Sequence, residues 1–355
     1  MTESVEALPV PRPAKTSPDG AEHNRGADLL KFLLTPFVCF WAFGFPDSIG
    51  LVSALSGFCV PAFFILSGYF VLVEHRHIRR KKMKRAIERS AITFGVLLAC
   101  YSLLGVALPI GDQANWTGEI IRKRVLFDFL VLNIWPFSIG SNIWFIQSLL
   151  YAYALLLFVS RLGGLKHYKI IMALSMIFMV LVGELAGVIG FRMLDHAYLP
   201  GGALTRALPY VLLGMFLREK TERLKAVPGW AYLLVFLLGG GLAVGERYLL
   251  DSLGKLVYEG HMIGYGVMAA AACGWAVSRP HMKRTFFSSR GRQYARRVYA
   301  LANPVYFGIL LLAYWVFPRY YGVAERLAGP IVYAACLLLC AIITGVKKLY
   351  YHILS

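Results

Sequence analysis

The sequence predicts an all-α membrane protein: a bundle of about ten transmembrane helices with both termini cytoplasmic. Three observations predict it. Of 355 residues, 58% are hydrophobic and 16% charged, with a mean hydropathy of +0.60, whereas soluble domains run near 45–50% apolar and about a quarter charged. The charges fall in short clusters between apolar runs, each close to the roughly 20 residues that cross roughly 30 Å of hydrocarbon. The net charge of +18, from 37 Lys+Arg against 19 Asp+Glu, is shared unequally between alternate connections. A water-soluble globule and a disordered chain are both excluded.

Residues 1–27 are polar and carry Pro9, Pro11, Pro13 and Pro18, the composition of a flexible tail rather than of a cleavable signal. Spans are expected at 28–47, 51–73, 90–111, 141–160, 169–191, 204–217, 229–248, 259–277, 298–317 and 328–346. The sixth is short. The stretch 125–135 is apolar but holds Asp128 and Asn133, and its length suits an interfacial or re-entrant segment. Residues 347–355 close the chain as a short cytoplasmic tail. With the N-terminus inside, cytoplasmic segments hold 27 Lys+Arg and outer segments 9, with Lys31 in the first span. That bias sets both termini in the cytoplasm of a multi-pass protein of the inner (cytoplasmic) membrane. Arg122-Lys123-Arg124 is the cluster this arrangement leaves outside.

No internal repeat is visible. Cys39, Cys59, Cys100, Cys273, Cys336 and Cys340 all lie in apolar runs and read as small hydrophobes. No metal-ligand spacing occurs. The cations hug span ends, so nucleic acid is not an expected partner; the lipid bilayer is.

The first chemically informative stretch is Val60-Pro61-Ala62-Phe63-Phe64-Ile65-Leu66-Ser67-Gly68-Tyr69-Phe70. Gly68 and Ser67 suit close helix packing or a hydroxyl contact in a bundle interior. The stretch also resembles the V-P-x-F-F-x-x-S-G-[YF] signature of the acyltransferase-3 family, integral membrane O-acyltransferases of bacterial surface polysaccharides. Three further phrases follow the family order. Asp28-Leu29-Leu30-Lys31-Phe32 resembles its opening D-L-L-R-F. Asn142-Ile143-Trp144-Phe145-Ile146 resembles its H-L-W-F-L. Arg206, Tyr210 and Gly214 resemble a later R-x-x-x-[YF]-x-x-x-G. The resemblance implies an acyltransferase-3-like domain over 28–346. Its function would be transfer of an acyl group, acetyl being the expected one, from cytoplasmic acyl-CoA to a hydroxyl of a glycan or lipid-linked acceptor. Acyl-CoA would serve as donor substrate, with no permanently bound cofactor.

The family pattern on the first helix is an arginine, ten residues, then a histidine. Here those places hold Lys31 and Ala42. A methyl side chain can neither take a proton from an acceptor hydroxyl nor carry an acyl group. The eight histidines are 23, 75, 77, 167, 196, 261, 281 and 352, and only His196 and His261 fall near the outer side. Two functions therefore stay open: an acyltransferase with an altered site, or a non-catalytic relative acting as a transporter or as a partner in polysaccharide assembly. On the resemblance, Lys31 takes the arginine's place, Ser67 lines the reaction chamber and Trp144 its outer mouth.

A family R-x-x-R pair follows the second helix. Arg76 and Arg79 have its literal spacing, while Arg85 and Arg89 stand where the donor entrance is expected. Eight cations between residues 76 and 89 suit coenzyme A phosphates, although topology anchoring and attraction to anionic lipid heads are the more ordinary reading of such a cluster. The second cluster, Arg279 to Arg297, reads as anchoring. Lys31 is expected to pair with Asp28 one turn away, and Glu184 is a membrane-depth carboxylate without an evident partner. Asn115-Trp116-Thr117 fits a glycosylation sequon.

Overall fold

The computed structural model describes residues 24–46, 50–73, 75–107, 129–130, 133, 141–189, 203–255 and 262–354. Ten principal helices follow in chain order: α1 Arg25–Phe43, α2 Leu51–Val71, α3 Arg76–Ala107, α4 Trp144–Arg161, α5 Tyr168–Val182, α6 Leu208–Glu219, α7 Gly229–Ser252, α8 Ile263–Val277, α9 Phe286–Val316 and α10 Ala328–Leu354. Every regular element among the described residues is helical. Each expected span coincides with one of these helices. Among the described residues, eight helical stretches are long and apolar enough to cross a membrane. The other two, α6 and α8, are shorter and bury residues on most of their surface, as helices in the middle of a bundle do.

Local chemistry accounts for the boundaries. Asn24 caps α1 by accepting from the Ala27 amide at 2.9 Å, and its own amide donates to Val277 O at 3.2 Å. That tie joins the start of α1 to the end of α8. Helix α2 turns at Gly57 and resumes at Cys59, with Pro61 in its new first turn, a position that needs no amide donor. Thr285 and Ser288 form a capping box that starts α9. A π-helical turn, Ala203–Ala207, feeds α6.

Two basic stretches differ from expectation. Residues 76–89, read as a connecting loop, form the first half of the continuous helix α3. Arg, Lys, Met, Ala and Glu are strong helix formers, and no Gly or Pro interrupts them. Likewise α9 begins at Phe286 rather than near residue 298, so Arg290, Arg292, Arg296 and Arg297 are helical.

The helices alternate in direction. Asn24 meets Val277, Arg80 donates to Ser160 O at 2.7 Å, Tyr168 donates to the Glu219 carboxylate, and Arg218 lies 5.3 Å from the Tyr69 ring, all on one face. On the opposite face the end of α1 at Gly44 packs on Gly329 at the start of α10. Both ends of the described chain therefore sit on the same face, the one that carries the cationic clusters. Helices α2 and α6 cross backbone to backbone: a Cβ on Gly68 would run into the Val211 carbonyl, and one on Gly214 into Ile65 O. This is the small-residue packing that membrane bundles use.

Candidate functional site

Helical stripes from separate parts of the chain enclose a chamber of about 890 Å³. On α1 Lys31, Thr35, Val38 and Ala42 line it at steps of four, three and four residues, joined by Trp41 and Phe43. Helix α2 supplies Val60, Phe63 and Ser67, and α9 supplies Arg292, Arg296, Tyr299 and Asn303 at the same steps as α1. Such steps keep side chains on one helix face. Arg89, Ile92 and Thr93 of α3, and Asn142 and Trp144 before and at the start of α4, complete the wall.

The chamber is graded in polarity. At one end Lys31 Nζ lies 3.0 Å from Asp28 Oδ1 and 4.5 Å from the centre of the Phe70 ring. The expected Lys31–Asp28 pair is thus present. Lys31, Arg89, Arg292 and Arg296 gather their charges at this end. In the middle Ser67 lines the wall, and Trp41 packs edge-on to Trp144 with ring centres 6.3 Å apart. At the far end Asn142 Nδ2 donates to Tyr299 O at 3.0 Å, and the Tyr299 hydroxyl donates back to Asn142 O at 2.5 Å. Asn142 Oδ1 is buried and has no hydrogen-bond partner among the described residues. Behind Trp144, Arg206 stacks 5.0 Å from its ring.

A second cavity of about 1140 Å³ opens on the cationic face. Arg76, Arg79, Lys82, Lys166 and Arg218 line it together with Tyr69, Tyr168 and Glu219. Phe70 lines this groove while its ring carries Lys31 of the chamber, so Phe70 links the two spaces.

A model of the acyltransferase-3 family, described as an acyltransferase domain, matches residues 24–346. The chain belongs to the acyltransferase-3 family. No curated protein and no solved structure matches it. The matched range begins at the cap of α1 and ends inside α10, so the acyltransferase-3 domain comprises all ten helices and both cavities. It is a membrane-bound domain of an acyltransferase family.

Of the residues singled out in the sequence, Lys31, Ser67, Trp144 and Arg89 meet in the chamber, together with Ala42. Arg85, one turn before Arg89, is exposed on α3 and lines neither cavity, whereas Arg76 and Arg79 line the groove. The chamber wall holds no histidine and no carboxylate among the described residues. His196 and His261 lie outside the described residues, as do the Arg122 cluster and the sequon. Of the segment 125–135, only Phe129, Leu130 and Asn133 are described; Asn133 donates to Trp144 O at 3.0 Å and Gln147 to Phe129 O at 2.6 Å, docking it on α4. Glu184 has a partner after all. It follows the end of α5, accepts from the Ile263 amide at 3.1 Å, and shares the start of α8 with Glu246. Burial and the neighbouring Glu246 push its carboxyl up to about 7.

Sequence reasoning missed Arg292, Arg296 and Asn303. Their signal was available as the four-three-four stripe on α9, hidden by treating that cluster as anchoring.

Proposed function

We propose that the protein transfers an acyl group, acetyl first among candidates, from cytoplasmic acyl-CoA to a hydroxyl of a glycan or lipid-linked acceptor at the inner membrane. One observation carries this reading: three separate family phrases supply Lys31, Ser67, and Asn142 with Trp144, and all four residues line the same chamber as Ala42. The donor's phosphates suit the basic groove, where Arg79 and Arg218 offer charge-assisted donors. Its pantetheine arm would then pass Phe70 toward Ser67. In the reaction the acceptor oxygen adds to the thioester carbonyl and loses its proton, the C–S bond breaks, and the thiolate leaves and is protonated. Asn142 Oδ1 suits an acceptor hydroxyl as a hydrogen-bond partner, but an amide cannot take its proton.

Ala42 favours a second reading, in which the scaffold has lost its base and serves as a transporter or assembly partner. The two readings separate by acyl-CoA consumption in membranes supplied with glycan precursors. Consumption above that of empty membranes supports the enzyme, and none supports the relative. The donor site is tested by coenzyme A binding to the purified chain. Arg79→Gln with Arg218→Gln should abolish it, while Arg85→Ala with Arg89→Ala should leave it. The reverse result would return the donor to α3.

A further inference from the structure

The chamber has an opening that the donor groove does not explain. Ile92 and Thr93 line it from α3 and are themselves exposed, Ile92 at 67%. Arg89, Arg292 and Arg296 stand around the same opening and are also exposed. A wall residue that faces outward marks a gap in the wall, here between α3 and α9.

Depth in the membrane identifies what that gap meets. Arg89 is the last cation of the basic half of α3, directly before its apolar half. Arg296 and Arg297 are the last charges of α9 before its apolar stretch. Arg89 and Arg296 therefore rim the opening at the level where lipid headgroups begin, Arg292 stands one turn farther out, and Ile92 lies about a turn deeper, among the acyl chains. Arg296 senses the charges of Arg292 and Arg89, and Lys31 those of Arg292 and Arg296. Asp28 pairs with Lys31, whereas no carboxylate stands among the described lining residues beside Arg89, Arg292 and Arg296, and like charges so gathered suit an anion. Beyond them the wall turns apolar, through Val38, Trp41 and Phe63.

We propose that this opening binds an anionic membrane phospholipid, with its phosphate on Arg89, Arg292 and Arg296 and one acyl chain laid into the chamber. Guanidinium groups suit phosphate oxygens in paired geometry, and the apolar wall suits the chain. The site is distinct from the groove at Arg79 and Arg218, and it stands whether or not the chain catalyses transfer.

The test uses the full chain in nonionic detergent micelles and phosphatidylglycerol brominated on its acyl chains, read by quenching of the chamber tryptophans. Subtracting the signal of a Trp41→Phe, Trp144→Phe variant isolates those two. Saturable quenching by phosphatidylglycerol, weaker with brominated phosphatidylcholine, is the expected result. Arg292→Gln with Arg296→Gln should weaken it about 30-fold, at the usual strength of one cation near an anionic lipid surface. Arg292→Lys with Arg296→Lys should keep most of it. If the double Gln variant does not fold, Arg89→Gln alone should weaken binding about fivefold. Equal, unsaturable quenching by both lipids overturns the proposal, as does unchanged affinity in the folded Gln variants. Coenzyme A supplies the other source of phosphate. Displacement of the lipid by coenzyme A that persists in Arg79→Gln, Arg218→Gln would assign the arginines to the soluble donor and overturn the proposal too.

Discussion

The Arg206 guanidinium lies 5.0 Å from the centre of the Trp144 ring, which lines the chamber while Arg206 itself does not. Arg206 thus reaches the chamber through Trp144, as a positioning residue. A buried cation–π contact contributes up to about 2 kcal/mol. Replacing Arg206 with Leu should lower kcat about tenfold with KM nearly unchanged, and Arg206→Lys should recover part of the loss. Equal kinetics in all three chains would separate Arg206 from the site.

The crossing of α2 and α6 predicts a contrast between two glycines. Gly68→Ala drives a methyl into the Val211 carbonyl, an overpacking that typically costs about 1–3 kcal/mol. Its thermal unfolding midpoint in detergent should fall, and acyl-CoA consumption with it, because Ser67 is the adjacent residue. Gly95→Ala on α3 meets open space and should hold or raise the midpoint, since Ala is the better helix former by about 1 kcal/mol.

The third prediction concerns Ala42. It lines a chamber of about 890 Å³ beside Trp41, so an imidazole there has room. General base catalysis typically contributes about 10²- to 10⁴-fold. Lys31→Arg with Ala42→His should raise acyl-CoA consumption by a factor in that range. No increase in a well-folded double variant would show that the position does not serve the proton transfer.

Glu184 predicts a pH dependence. Its carboxyl is pushed up to about 7 from an ordinary 4.5, so the folded chain holds a proton there that the unfolded chain releases. Between those values the folded state binds more protons, and stability falls as pH rises. Glu184→Gln keeps an acceptor for the Ile263 amide and removes the titration. The wild-type midpoint, measured relative to that variant, should drop between about pH 4.5 and about pH 7 and then level off. A constant difference would refute the assignment.

The fifth prediction is topological. The face that carries both described chain ends also carries the cations, so cysteines at Lys81 and Ser355 should resist an impermeant thiol reagent in intact cells. Labelling of either would invert the arrangement.

The helices were legible in the sequence because apolar length is a one-dimensional signal, and all ten expected spans fall on helices. The extent of α3 was not, because charge was read as loop. A helix needs apolar residues only where it meets lipid, and the Arg76–Arg89 stretch has strong helix formers throughout. At the site, Lys31, Ser67 and Trp144 could be found because they lie inside recognisable phrases. Arg292 and Asn303 could not be found that way. They join the chamber by the packing of α9 on α1, where Gly291 is so close to Asp28 that a Cβ would meet the Asp28 carbonyl. That approach is a property of two helices that the chain separates by more than 240 residues.

Helix α3 makes bilayer thickness a variable of this protein. The described part of its apolar half, residues 90–107, rises about 27 Å, enough to cross most of a hydrocarbon core roughly 30 Å thick. Its basic half cannot sink without dragging eight cations into oil, nor bend away without breaking a continuous run of backbone hydrogen bonds. In a thicker bilayer the strain therefore falls on the gap between α3 and α9, where the wall is already open. Lipid chain length would then set how wide the chamber stands to the membrane.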